Sequence, residues 1–177
     1  MKLILRHDDF DFRMKPENYI SNHEKFIEAD IVETAVVQYT HDGREANYHS
    51  KLIEYMKTAP NWDIQLHGWC HDDYSKLPKW RMYDDVQKAR LKAVELFGKA
   101  PTIWFPPWNV YSDDMKEIAD LQSLTIDHES NDISKFIREM KDGSFKGHSV
   151  YFHLWNHDEA EQIDEMLKYA NIYADKR

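Results

Sequence analysis

Apolar runs of strand length alternate with stretches of helical periodicity along the whole chain. The first run, Lys2–His7, predicts a buried strand, and Tyr19, Ile20, Phe26 and Ile27 fall on one side of a helix over Glu17–Glu28. A second strand is predicted at Glu33–Tyr39, then a helix over Ala46–Ala59 that presents Tyr48, Leu52, Tyr55 and Met56. Pro60-Asn61 breaks the chain before a third strand, Trp62–Leu66, which ends at His67. Beyond a polar loop over Gly68–Pro78, Val86, Ala89, Ala93, Leu96 and Phe97 repeat at helical spacing over Tyr83–Phe97, with Gly98 as a C-terminal cap. Thr102–Phe105 reads as strand four, stopped by Pro106-Pro107. Ser112 caps the next helix, with Asp113 and Asp114 in its favourable first turn. Leu124–Asp127 is strand five, and Ile133, Phe136, Ile137 and Met140 mark a helix ended near Gly143. Val150–His153 is strand six, and Ile163, Met166, Leu167 and Ala170 lie on a closing helix.

Six strand-then-helix units predict a parallel sheet with helices outside it. Right-handed crossovers allow an open doubly wound sheet or a barrel. No Gly-x-Gly-x-x-Gly follows strand one, which removes the best signal of a dinucleotide fold. A complete eight-unit barrel takes about 250 residues, more than the 177 present. The expected architecture is therefore α/β: a single domain over residues 1–177, built as a small or incomplete, distorted (β/α) barrel with parallel strands and outer helices.

The formal net charge of −9 repels nucleic-acid phosphate and anionic membrane surfaces, so neither partner is expected. Cys70 is the sole cysteine, which excludes an internal disulfide and a four-cysteine zinc site. The opening Met1-Lys2-Leu3-Ile4-Leu5 turns charged at Arg6, too early for a signal-peptide core. No run approaches the roughly 20 apolar residues of a membrane helix. These features predict a soluble, cytoplasmic protein, and they leave its oligomeric state open.

Reactive side chains collect just past the C-terminal ends of the predicted strands. Strand one ends in His7-Asp8-Asp9, strand two leads to Tyr39 and His41, and strand three to His67, His71 and Asp72. Strand four runs into Pro106-Pro107-Trp108-Asn109, strand five into Asp127-His128-Glu129, and strand six into His153, Trp155 and His157. Barrel enzymes assemble their sites on that face. His67 and His71 are four apart, and one helical turn would put both imidazoles on one side. With a carboxylate they make an open three-ligand site suited to zinc or another divalent ion, whose bound water is acidified. Two uncompensated carboxylates after a buried strand repel and resist ionisation, and a cation removes that problem. One of the pair can ligate while the other takes a proton from water.

Asp8-Asp9 after the first strand, His67-x-x-x-His71 after the third, a Pro-Pro-aromatic turn after the fourth and a late histidine at a strand end resemble the polysaccharide deacetylase superfamily, the NodB-homology fold. Its first motif, Thr-Phe-Asp-Asp-Gly, reads Arg6-His7-Asp8-Asp9-Phe10 here, and its second, His-Ser/Thr-x-x-His, reads His67-Gly68-Trp69-Cys70-His71. The resemblance covers essentially the whole chain, in order, and marks a divergent short member. It implies a metal-dependent hydrolase that removes an acyl group, typically acetyl from an amino sugar, so a small-molecule or glycan substrate. Asp8 would be the general base. Asp9, His67 and His71 would hold the metal, zinc first, with cobalt, manganese or nickel as replacements. His153 would be the general acid, with Asp127 near it raising its pKa. The third motif usually begins with an arginine that orients the base; Phe105 stands at that position, and Arg6 and Arg13 are the candidates to take its place.

Trp69, Pro107, Trp108 and Trp155 lie in the expected site loops, either to stack on a sugar ring or to pack over the barrel mouth. His157 is the second choice to His153 as acid. His41 and His128 read as exposed, and His23, His49 and His148 as non-functional. Cys70 reads as a small buried residue rather than a nucleophile, having no Cys-His-Asn framework. His7-Asp8, His71-Asp72 and His157-Asp158 invite comparison with all-helical His-Asp phosphohydrolases, against which the regular strand signals argue. Two other functions fit the same residues: a catalytically impaired glycan-binding module of this fold, and a different metal hydrolase such as a phosphoesterase.

Overall fold

Side chains alternate between the two faces of a strand, and here the alternation separates an apolar outer face from a polar inner one. A computed structural model describes residues 3–175, so Lys2, where the first expected strand begins, lies outside the described residues. The strands are β1 (Ile4–Phe10), β2 (Glu33–Gln38), β5 (Trp62–Gly68), β6 (Ile103–Trp104), β7 (Thr125–Ile126) and β8 (Ser149–Phe152). They form one six-stranded sheet in the order β7-β6-β5-β2-β1-β8, parallel at every pairing. The sheet curls into a half-barrel with helices outside, which is the expected incomplete (β/α) barrel. Its seam, between β7 and β8, is bridged by the segment at Asn131: the Tyr151 amide donates to the Asn131 carbonyl (2.9 Å), and Asn131 Nδ2 donates to the Ser149 carbonyl (3.1 Å).

Outside the sheet lie α1 (Pro16–Glu28), α2 (Ser50–Thr58), α3 (Lys79–Phe97), α4 (Asp113–Leu121), α5 (Ile133–Asp142), α6 (His157–Glu161) and α7 (Ile163–Asp175). Ala35, Val37, Ile64, Leu66 and Trp104 face the larger apolar cluster, which takes in Leu52, Met56, Val86, Ala93 and Ile118 from the helices. Leu5, Val150 and Phe152 face the second, with Phe26, Phe136, Ile163 and Met166. Each buried Val, Leu, Ile, Phe or Met side chain among these contributes about 1.5–3 kcal/mol. Caps follow the sequence: Ser112 accepts from the Met115 amide, and Gly98 ends α3 in the left-handed region at φ 73°.

Three boundaries differ from expectation. Asp42 (φ 49°) and Gly43 (φ 74°) make a two-residue left-handed turn, so Thr40–His41 (β3) and Arg44–Glu45 (β4) pair as a hairpin. The following helix consequently starts at Ser50 instead of Ala46. α3 starts four residues earlier than expected, directly after Pro78. β1 runs on through Asp8 and Asp9 instead of ending at His7.

One carboxylate sits within the apolar face. Glu33 is fully buried and accepts from His7 Nδ1 (3.0 Å), His23 Nδ1 (2.9 Å) and Asn22 Nδ2 (3.2 Å). His23 Nε2 donates to the Pro60 carbonyl (2.8 Å), and its ring stacks on Trp62 at 3.7 Å. Burial alone pushes the Glu33 pKa up, but the two histidines outweigh it and hold the carboxyl below its ordinary range. Glu33 thus ties α1, β1 and the turn before β5 to β2. Removing one partner of a buried pair costs about 3–5 kcal/mol, so Glu33→Ala should lower the urea-unfolding free energy by that order at pH 7. A depressed folded pKa stabilises above the ordinary value of 4.5 and loses its effect as the pH falls below it. The gap between wild type and variant should therefore narrow at pH 4; a gap of under 1 kcal/mol at pH 7 would contradict the role given to Glu33.

Candidate metal centre

The end of β1 breaks the alternation of a regular strand. Its register on β2 shifts between His7 and Phe10, and Asp9 takes a left-handed conformation at φ 54°. This bulge lets two successive acids, Asp8 and Asp9, both act on His153, which follows the neighbouring strand β8. Asp9 Oδ1 lies 3.1 Å from His67 Nε2 and 2.9 Å from His71 Nε2. Burial alone would raise the Asp9 pKa; the hydrogen bonds and charges of His67 and His71 outweigh it and hold the carboxyl far below the usual carboxylate range.

His67 and His71 arrive from one loop by different means. His67 belongs to β5, and its Nδ1 donates to the Phe105 carbonyl (2.7 Å), which leaves Nε2, the nitrogen facing Asp9, as the one that can ligate a cation. His71 is reached through a bend at Trp69–Cys70, not through the expected helical turn. Tyr74, fully buried, holds this bend: its oxygen accepts from the Trp69 amide (3.0 Å) and the Cys70 amide (3.5 Å). Gly68 makes room, since a Cβ there would meet Tyr74 Oη at 2.6 Å. The ligand atoms of Asp9, His67 and His71 lie within 4.8 Å of one another. Two imidazole nitrogens and a carboxylate oxygen with a fixed tautomer on His67 fit a divalent ion with open positions.

His153 follows β8 and faces the same point, its Nε2 lying 3.8 Å from Asp9 Oδ2. The expected neighbour Asp127 is not its partner. Asp127 Oδ2 pairs with His148 Nε2 (3.1 Å) at the barrel seam, and Glu159 takes the place beside His153. Glu159 Oε2 accepts from the His153 amide (2.7 Å) and from Nδ1 (3.0 Å), while Asn156 Nδ2 donates to Oε1 (2.7 Å). The reason is local: Asn156 caps α6, and Glu159 three residues later turns back over the cap toward the end of β8. That Asn-x-x-Glu spacing was the signal that could have found it. Burial opposes a charge on His153, but Glu159, Asp8 and Asp9 together outweigh it and raise its pKa above the ordinary value.

Arg6 is fully buried on the inner face, two residues before Asp8. Its Nη1 lies 3.6 Å from Asp8 Oδ2, and its Nη2 donates to Asn109 Oδ1 (2.5 Å) and the Glu129 carbonyl (2.8 Å). Arg13, the other candidate, is bound instead to Asp11 and to His41. Asn109 reaches Arg6 from a turn in which Trp108 (φ 61°) and Asn109 (φ 52°) are both left-handed, a conformation that costs a tryptophan about 1–3 kcal/mol.

A cleft of about 400 Å³ opens beside Asp9 and His71, lined also by Arg13, Gln38, His41 and Trp155. Trp155 (55 % exposed) donates from Nε1 to Asp9 Oδ2 (3.3 Å), and Trp108 (69 % exposed) stands edge-on to His71 at 4.7 Å. Pro107 is buried beneath that turn. Trp69 faces away from this cleft: its ring stacks on Tyr39 (5.7 Å) with Lys88 Nζ over its face (3.7 Å). The chain direction explains this, because the bend that delivers His71 turns Trp69 toward α3. His157 is exposed and paired with Glu161.

The family model described as polysaccharide deacetylase matches residues 28–127, a span that omits β1 and β8. No curated protein matches the chain by sequence. Among solved structures, the chain is similar to a CE4 family pseudoenzyme from Bacillus anthracis, at TM-score 0.76 and 14% identity over 97% of this chain and 61% of that one. It thus spans under two thirds of that protein's length. It is also similar to a family 4 carbohydrate esterase from Streptomyces lividans (TM-score 0.74, 12% identity, 95% of this chain and 86% of that one). A third likeness is to the peptidoglycan deacetylase PdaC from Bacillus subtilis (TM-score 0.72, 14% identity, 94% and 81%). At these identities the likeness is one of fold.

Gly68→Ala should push Tyr74 off the bend, with an expected overpacking cost of about 1–3 kcal/mol in urea unfolding. A variant as stable as wild type would show that Tyr74 does not hold the loop.

Proposed function

Because this chain belongs to the polysaccharide deacetylase family, we propose that it is a metal-dependent hydrolase removing an acyl group, acetyl first, from an amino sugar or a related amide or ester. The observation that carries the reading is the convergence of Asp9, His67 and His71 on one point, with Asp8 and His153 beside them. Zinc suits the two nitrogens and one carboxylate oxygen, and cobalt, manganese or nickel can replace it. A divalent ion held there supplies a Lewis acid for the acyl oxygen and for the attacking water.

The chain's own groups do the rest. Asp8 is the base: its Oδ2 faces Arg6, while its buried Oδ1 has no hydrogen-bond partner among the described residues, which leaves that oxygen to take the proton. His153 is the acid. With Nδ1 on Glu159, its Nε2 lies toward Asp9 and delivers a proton to the leaving nitrogen. Trp108 and Trp155 offer the sugar ring apolar faces beside the reacting group. Asp127, tied to His148 at the seam, has no part in this scheme. Among the described residues no helix is long and apolar enough to cross a membrane.

Calorimetric titration should find one zinc per chain in the wild type and none in the His67→Ala, His71→Ala double variant. Acetate release from acetylated amino-sugar oligomers should require the metal. Asp8→Asn should retain zinc and lose about 10²–10⁴-fold in kcat. Glycan affinity that survives Asp8→Asn without any acyl turnover would favour a binding module, and turnover of phosphate esters alone a metal phosphoesterase. Glu159→Gln tests the acid separately. It should lower kcat at least about tenfold while zinc affinity is retained, and an unchanged kcat would remove Glu159 from the scheme.

A further inference from the structure

Packing alone does not explain Arg6, whose guanidinium is buried in the barrel interior. A guanidinium out of water needs a counter-charge and bonded donors. Among the described residues its carboxylate partner is Asp8, at 3.6 Å from Nη1. The far side of the fork is fixed by two acceptors from different segments, Asn109 Oδ1 and the Glu129 carbonyl. The plane is held between the rings of Phe105 (5.0 Å) and Tyr151 (5.2 Å). Nη1 has no hydrogen-bond partner among the described residues, and the carboxylate it is paired with is that of Asp8, 3.6 Å away. The left-handed turn at Trp108 and Asn109 makes sense in the same terms, since it carries Asn109 Oδ1 to Nη2.

We infer that Arg6 is a positioning residue for the Asp8 base, its clamped guanidinium fixing the carboxylate's aim from the same strand face. The inference rests on the reading of Asp8 as the base. Because Arg6 and Asp8 are two apart on β1, the carboxylate and its guide form one rigid unit. Phe105 serves as one wall of the clamp. An arginine at position 105 would bring its own guanidinium into the volume that Arg6 fills, so the site accommodates one or the other.

Two measurements decide the matter. In the ¹⁵N-labelled folded protein, Asp8→Asn should shift the Arg6 guanidinium resonances and speed rotation of its amino groups several-fold. Asp11→Asn should do this to Arg13 and leave Arg6 unmoved. If Asp8→Asn leaves the Arg6 signals unchanged, the assignment is overturned, whatever the activity. In kinetics, Arg6→Met should lower kcat by about 100-fold, with KM within twofold and zinc affinity within threefold of wild type. Arg6→Lys keeps the buried charge without the planar fork and should behave alike, which covers the case in which Arg6→Met fails to fold. Adding Phe105→Arg to Arg6→Thr should recover at least tenfold in kcat over Arg6→Thr alone. Full kcat in Arg6→Lys and Arg6→Met, or losses that follow zinc affinity and resist rescue, would overturn the role. A wild type that releases no acyl group from any substrate would instead count against the deacetylase reading itself.

Discussion

One carboxylate oxygen shared by two imidazoles organises this molecule. Asp9 Oδ1 meets His67 and His71 at 3.1 and 2.9 Å, and each member of the trio needs a separate distortion to reach that point. β1 must bulge and Asp9 must turn left-handed. The chain after β5 must bend over Tyr74, with a glycine where any side chain would clash. The Phe105 carbonyl must lie at the end of β6 to fix the tautomer of His67. Parallel strands make this possible, because all their C-terminal ends come out on one side of the sheet.

The two faces of the sheet solve opposite problems. Outside, apolar side chains from the strands meet the helices, and Glu33 is tolerated there because two histidines and an asparagine satisfy it. Inside, Arg6, Asp8, His67 and His153 occupy the alternate positions, and their charges answer one another. Cation and base on one strand, a carboxylate on its bulge, two imidazoles from β5 and the bend after it, and an acid at the end of neighbouring β8 form a single electrostatic arrangement.

Much of this was legible in the chain. Helical spacing marked α3, α5 and α7, Ser112 and Gly98 marked helix ends, and the strand-end acids and histidines pointed to one face. The Asp42-Gly43 pair is equally legible as a two-residue hairpin turn, and that hairpin is what shortens the helix expected over Ala46–Ala59. Other features depended on how the chain turns beyond the end of a strand. His153 could have drawn on any acid near a strand end, and which one it met was decided by the cap of α6. Trp69 and Trp155 looked alike as loop aromatics, yet the bend at Cys70 turns one toward α3 and leaves the other over the cleft.

The sequence by itself determined the α/β class, the parallel order of strand and helix, and the identities of the groups at the mouth, because periodicity and strand-end position are local properties. Tertiary structure alone decided that Asp127 meets His148 and not His153, and that Arg6 rather than Arg13 lies beside Asp8. Pairing depends on the curl of the sheet and on the left-handed residues at the strand ends. These set distances between segments more than 100 residues apart, as between Arg6 and Asn109, and no local pattern encodes such a distance.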